Sequence, residues 1–219
     1  MTAKIKIDFV SDVVCPWCAV GLGSLQQALQ RLEGVVEADV HFQPFELNPQ
    51  MPPEGQDIVE HLAQKYGLSA EQQAVNWQAL RQRAAQAGFD FRDEGRGRTW
   101  NTFDAHRILH WAGEQGADAQ GIVKRSLLEA YFGRGENPSA PEVLLAAVRA
   151  AGLDEGRAKE VIDSDAFAAE VRAQQQFYAQ AGITAVPSVI INDQYLIQGG
   201  QPAQAFEQAL REIAAQAGA

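Results

Sequence analysis

The sequence predicts an α/β fold interrupted by a long helical block, and three observations predict it. The N-terminal residues alternate apolar and polar as a strand does and then switch to a helical period. From Asp57 to about Gly182 the helical period persists almost throughout, and beyond it two short apolar runs and an amphipathic segment close the chain.

In order, Ile5, Ile7 and Phe9 alternate with Lys6 and Asp8 as a strand, and Val10 to Val14 carry the chain round a turn. Leu22, Leu25, Leu29 and Leu32 then recur at helical spacing. Val35 to Phe45 is a second β-rich segment, closed by the breakers Pro44, Asn48-Pro49 and Pro52-Pro53-Glu54-Gly55. Helices follow near 57–66, 70–87, 101–115, 119–132, 140–151, 155–163 and 165–181. Ser69 with Gln72 and Ser139 with Glu142 have the spacing of capping boxes, and Pro141 suits a helix start. The aperiodic stretch Phe91 to Thr99 reads as a solvated loop, because Asp93 and Glu94 stand beside its three arginines, Arg92, Arg96 and Arg98. Val186 to Ile191 is a strand, Asn192-Asp193 a tight turn, and Tyr195 to Gln198 the hairpin partner. Gly199-Gly200 breaks it, and Pro202 starts a last helix with Phe206, Leu210 and Ile213 on one face. The order β-α-β, helical block, α-β-β-α is that of a thioredoxin-like fold with a large all-helical insertion after the second strand. Residues 1–54 and 183–219 then form the thioredoxin-like domain, bridged by the helix at 165–182, and 55–164 form the inserted domain, a lid on one side.

The two cysteines of the chain lie three apart in Cys15-Pro16-Trp17-Cys18, at the point where the first strand gives way to a helix. Pro16 suits the first helical position, where its missing N–H would have had no intrahelical partner. A thiolate on Cys15 is stabilised by the free N–H groups of that turn and by the positive end of the helix. Cys15 is thus the expected nucleophile, and Cys18, one turn deeper, is placed to resolve a mixed disulfide formed on it. Three other readings compete: half of a zinc site completed by His106 and His110, a structural disulfide, and two inert buried thiols. The motif opens a helix rather than a knuckle, a bridge across so short a loop is a weak staple, and the Pro-Trp insert argues against inert thiols.

A chain of 219 residues buries a substantial core without metal or disulfide scaffolding. Its net charge of −10 argues against nucleic acid as a partner, since phosphate binding needs a basic face. Met1 to Ile7 shows no apolar leader, and no stretch is apolar for long enough to span a membrane, so the expected location is cytoplasmic. In that reducing compartment a lone CxxC points to catalysis or redox sensing.

Four stretches carry a family resemblance: Asp8-Phe9 through Cys15-Pro16-Trp17-Cys18, Phe45-Glu46-Leu47-Asn48-Pro49, Asn101-Thr102-Phe103-Asp104-Ala105-His106-Arg107, and Gly182-Ile183-Thr184-Ala185-Val186-Pro187-Ser188. Through them the chain resembles the DsbA family, most closely its FrnE-like branch, over nearly its whole length. The resemblance implies that Pro187 is cis and faces the cysteine pair, leaving the Val186 backbone free to pair with an extended substrate. It puts Asp8 where such proteins often keep a buried acid beneath the dithiol, able to accept the Cys18 proton. It sets Asn101 and His106 on the inserted domain facing the active site, although His106 also has core spacing with Leu109. Pro16 and Trp17 help to set the balance of dithiol and disulfide, with no histidine between the cysteines.

The implied activity is that of a thiol–disulfide oxidoreductase or disulfide isomerase working through a Cys15 mixed disulfide. Its substrates would be disulfide- or thiol-containing proteins or small thiols, with no tightly bound cofactor and glutathione as a possible redox partner. Two alternatives stand beside it. One is a glutathione-dependent isomerase or transferase of the 2-hydroxychromene-2-carboxylate isomerase and kappa type, which typically has serine where Cys15 stands; there Asn48, Val186 and the Asp193 turn are the contacts for glutathione. The other is a non-catalytic binding module with its groove above Pro187.

Overall fold

The computed structural model describes residues 2–217. Strand β1 (Ala3–Ser11) leads into helix α1 (Pro16–Arg31) and returns as β2 (Val36–Pro44). The helical block comprises α2 (Ile58–Tyr66), α3 (Ala70–Gln86), α4 (Phe103–Gln115), α5 (Ala117–Leu128), α6 (Pro141–Ala150) and α7 (Glu155–Ile162). Within it, the two-residue strands β3 (Gln56–Asp57) and β4 (Arg98–Thr99) pair antiparallel, so the end of the expected loop at 91–99 is tied down. Helix α8 (Ala168–Gln180), the hairpin β5 (Ser188–Ile191) and β6 (Tyr195–Gln198), and α9 (Ala203–Ala217) complete the chain.

The four long strands form one sheet in the order β2-β1-β5-β6. β1 runs parallel to β2 from Ala3 opposite Val36 to Ser11 opposite Pro44, and antiparallel to β5 from Ile7 opposite Ile191 to Val10 opposite Ser188. At the hairpin tip Asn192 and Asp193 have φ of 51° and 56°, the left-handed pair that a two-residue turn with the strands' own twist requires. The two-residue period of β1 divides its side chains between two cores. Ile5, Ile7 and Phe9 pack with Leu22 and Leu25 of α1 and with Phe206 and Leu210 of α9. Val10 belongs to a smaller cluster with Tyr178 of α8 and Ile183.

Caps follow the sequence at some helices and depart from it at others. Ser69 and Gln72 form the reciprocal capping box at α3. The pair Ser139 and Glu142 does not cap: Pro141 takes the first helical position, Ala140 precedes it, and the Ser139 hydroxyl donates to the Asn101 carbonyl at 2.7 Å. The helix expected at 165–181 starts at Ala168, because Phe167 adopts a left-handed φ of 62° and lays its ring against His110, centroids 5.3 Å apart. The helix expected at 119–132 begins at Ala117 and widens into a π-helical turn, Glu129–Arg134. That turn supplies Phe132, whose ring stacks on Phe91 at 4.5 Å, with Trp77 stacked on Phe91 in turn at 5.4 Å.

Helix α1 and the end of α3 meet at Gly23. A Cβ there would overlap the carbonyl of Ala87 at the end of α3, so only glycine lets the two backbones approach so closely. Gly23→Ala is expected to cost about 1–3 kcal/mol, the usual penalty for overpacking. Urea unfolding would measure it, and an unchanged stability would contradict this seating of α3.

Candidate active site

Cys15 is the N-cap of α1, and Pro16 is its first helical residue. No side chain caps this helix, so the sulfur stands beside the unpaired N–H groups of the first turn. The Cys15 carbonyl accepts from the Cys18 N–H at 3.0 Å, and the Cys15 N–H donates to the Asp12 carbonyl at 3.4 Å. The Cys15 thiol donates to the carbonyl of Val186 at 3.7 Å, and the Val186-Pro187 peptide is cis. Thus α1 and the segment before β5, 171 residues apart, meet at the Cys15 sulfur. Cys15 retains only 4% of its exposure and Cys18 none. Both thiols are free and buried.

Behind Cys18 lies a group of buried ionisable side chains, Asp12, His106 and Lys124, of which only His106 was expected from the sequence. Asp12 Oδ2 accepts the Leu47 N–H at 2.7 Å, and Oδ1 stands 3.4 Å from His106 Nε2. His106 Nε2 is also 3.0 Å from the Phe45 carbonyl. Both neighbours are acceptors, which assigns the proton to Nε2. Burial alone would raise the Asp12 pKa, yet the neighbouring His106, the Leu47 N–H and the charge of Lys124 outweigh it and hold the carboxyl below its ordinary value. Burial pushes the Cys18 thiol well above the usual thiol range, and Cys15 adds to this while Lys124 opposes it. Burial likewise lowers the Lys124 ammonium, against the pull of Cys18, Asp12 and Cys15. The signal for Lys124 was present in the helical period: it lies on the buried stripe of α5 with Gln120, Val123, Leu127 and Leu128. Asp12 was equally visible as the one charge inside the apolar run from Val10 to Val14.

Asp8 is not beneath the dithiol. It alternates with Ile7 and Phe9, which face α1, and so projects from the other side of the sheet. There it pairs with Lys6 at 2.9 Å, accepts from Gln43 Nε2 at 2.6 Å, and lies beside Tyr178. His106 does not face the cleft either, since it is 2% exposed behind the Phe45 carbonyl. Asn101 is spent on the Met51 carbonyl and the Phe103 N–H, and Asp193 on Lys6, so neither lines the site. The zinc reading loses its geometry: His110 meets Gln174, and among the described residues no group of three His, Cys, Asp or Glu side chains could hold a metal ion.

The remaining expected residues converge. Cys15, Pro16, Trp17, Asn48 and Val186 line one cleft of about 810 Å³, within the range of small-molecule sites. Its far wall comes from the inserted block, with Ile58, Leu62, Tyr66, Trp77 and Leu80. Lys65 fixes the near edge, donating to Asn48 Oδ1 at 2.7 Å and to the Leu47 carbonyl at 3.0 Å. Arg83 lies 5.6 Å over the Trp17 ring, and Arg96 5.6 Å over Trp77.

This arrangement, a helix-capping cysteine with its partner one turn deeper and a cis X-Pro carbonyl at its sulfur, agrees with a family match. The model of the DSBA-like thioredoxin domain matches residues 6–211. The chain belongs to that family. A probable DsbA oxidoreductase from Streptomyces coelicolor shares 33% identity with it at a TM-score of 0.83, covering 95% of this chain and 89% of that one. The uncharacterised protein YwbO of Bacillus subtilis (strain 168) is 25% identical over 97% of this chain and 98% of its own length. Two further structures share the fold. A 2-hydroxychromene-2-carboxylate isomerase is 18% identical at a TM-score of 0.69, over 96% and 97% of the two chains. The cytosolic disulfide reductase DsbM of Pseudomonas aeruginosa, solved with GSH, is 17% identical at 0.63, over 95% and 98%. Among the described residues no helix is long and apolar enough to cross a membrane.

Asp12 ties the site to the rest of the DSBA-like fold, and its charge has a pH signature. A carboxyl held below its ordinary pKa in the folded state contributes stability above the unfolded value, about 4, and loses it as pH falls through the folded value. Asp12→Asn is therefore expected to lower stability by about 1–3 kcal/mol at neutral pH, with the gap to the wild type closing below about pH 4. Denaturant unfolding across that range measures the gap, and a gap independent of pH would contradict the assignment.

Proposed function

We propose that this chain is a thiol–disulfide oxidoreductase working through a mixed disulfide on Cys15. The observation that carries the reading is the position of the Cys15 sulfur, at the start of α1, against the Val186 carbonyl and open to the cleft, with Cys18 buried behind it. A Cys15 thiolate attacks one sulfur of a substrate disulfide. The substrate S–S bond breaks, one substrate thiolate leaves, and the other substrate sulfur is held on Cys15. Cys18 then loses its proton and attacks Cys15 Sγ, so the mixed disulfide breaks, the second thiolate leaves, and the Cys15–Cys18 bond forms. The substrate gains two electrons and the protein loses them; the reverse order oxidises a dithiol.

The second step needs an acceptor for the proton of a thiol whose pKa burial has raised. We assign that role to Lys124, a fully buried lysine whose charge acts on Cys18 and whose ammonium form burial disfavours. Once protonated, Lys124 offsets the charge of the attacking thiolate. Asp12 and His106 act through the Phe45–Leu47 loop as positioning residues. Pro16, Trp17, Asn48 and Val186 form the near wall on which the substrate rests, and Val186 and Pro187 present the backbone that meets its extended part. Glutathione is the redox partner we propose for returning the protein to its working state, and the cytoplasm the compartment; the GSH-bound cytosolic DsbM is a fold neighbour in keeping with both.

Reaction of the reduced protein with one equivalent of 5,5′-dithiobis(2-nitrobenzoate) separates the steps. The wild type is expected to release both nitrothiobenzoate groups, Cys15→Ser neither at a comparable rate, and Cys18→Ser only one. Lys124→Met is expected to release the second group about a hundredfold more slowly, the low end for losing a general base. That slow phase should quicken as pH rises and Cys18 ionises unaided. Fast release of both groups from Cys15→Ser would overturn the reading.

A further inference from the structure

The chain carries a net charge of −10, yet its cleft is lined by cations. Lys65, Arg83 and Arg96 all face it, together with His61, whose pKa is lowered by burial and by the neighbouring charges of Lys65 and Arg96. Most arginines near the site are already engaged: Arg81 pairs with Asp93, Arg92 with Glu94 at 3.2 Å, and Arg98 donates to the Glu54 and Gly55 carbonyls. Among the described residues, Lys65, Arg83 and Arg96 enter no ion pair. Glu46 is the carboxylate among the described lining residues, and Arg172 and Gln175 both hold its Oε1, while Oε2 is buried without a partner.

The three cations are also spaced. Arg83 stands over Trp17, next to the reactive cysteine, Lys65 sits at the Asn48 edge, and Arg96 stands over Trp77 on the far wall. The same cleft is lined by the apolar side chains of Ile58, Leu62 and Leu80. A bound molecule therefore meets positive charge at its rim and hydrocarbon or aromatic surface along its body. The volume of about 810 Å³ suits a small molecule, and the 4% exposure of Cys15 keeps its sulfur from the surface of a folded protein.

Resting on the oxidoreductase reading, we infer that the substrate of Cys15 is a low-molecular-weight disulfide with an apolar, aromatic-sized body and carboxylate groups. The carboxylates engage Arg83, Lys65 and Arg96, the body lies on Trp77 and the α2–α3 wall, and the disulfide reaches Cys15. Charge complementarity of this kind acts on both encounter rate and selectivity.

The test compares rates of Cys15 mixed-disulfide formation, in Cys18→Ser protein, with four probes: 4,4′-dithiodibenzoate, 3,3′-dithiodipropionate, 2-hydroxyethyl disulfide and cystamine. Each rate is divided by that of the same probe with free cysteine, which removes intrinsic reactivity. The expected order is aromatic dianion, aliphatic dianion, neutral, cation. In a protein also carrying Lys65→Gln, Arg83→Gln and Arg96→Gln, the ratio of dianion to neutral probe is expected to fall by about tenfold, the joint effect of three partly exposed charges. An unchanged ratio, or faster reaction with an acidic cysteine peptide disulfide than with any small probe, overturns the inference and leaves the thiol chemistry standing. A protein inert to all the probes overturns the oxidoreductase reading, and this inference with it.

Discussion

A buried carboxylate holds this molecule's site together. Asp12 takes the Leu47 N–H on one oxygen and faces His106 with the other, while its carbonyl receives the Cys15 N–H. Three pieces of chain distant in sequence are thus fixed to one residue: the start of the dithiol helix, the loop after β2, and α4 of the inserted block. The charge persists in the interior because burial, which disfavours it, is outweighed by its partners. Removing one partner from such a group costs more than the pair contributes, so the loop and the helix start are held in one arrangement.

That arrangement gives the two thiols opposite environments. Cys15 stands at the open end of a helix with its sulfur towards a cleft, while Cys18 is fully buried, its thiol pushed up by burial against the opposing charge of Lys124. The division follows from geometry: two residues between the cysteines carry the chain through nearly one helical turn, so the second thiol falls behind the first. The sheet supplies the other half. β5 pairs with β1 in a register that brings Val186 and Pro187 opposite the start of α1, and the same alternation sends Asp8 to the far face.

Much of this was legible in the sequence, and the losses have physical causes. Periodicity located the strands and nearly every helix, because the apolar stripes that build the core are written locally. Cys15, Trp17, Asn48 and Val186 were found and do share a cleft. The family resemblance carried Asp8 to a place beneath the dithiol, but the facing of a β residue is set by one step of register, and here that step turns it away. Lys124 was passed over although its place on the apolar stripe of α5 with Val123, Leu127 and Leu128 marks it as inward-facing, because a lysine on a helix reads as solvent-facing by its type. The cationic rim was hidden because loop arginines look alike in sequence; only pairing in three dimensions shows that Arg92 and Arg98 are engaged and Arg96 is not. The π-helical turn after α5 had no local signal, and it sets Phe132 into the stack with Phe91 and Trp77 that backs the cleft.

The central claim is that Cys15 and Cys18 form a reversible two-electron couple. Equilibrating the protein against glutathione buffers of graded poise, then alkylating and weighing it, counts free thiols directly, since the chain has no others. The account predicts a single transition from two alkylated thiols to none, with a midpoint between roughly −120 and −270 mV, the span of working dithiol proteins. Two thiols that remain alkylated at every poise would contradict it.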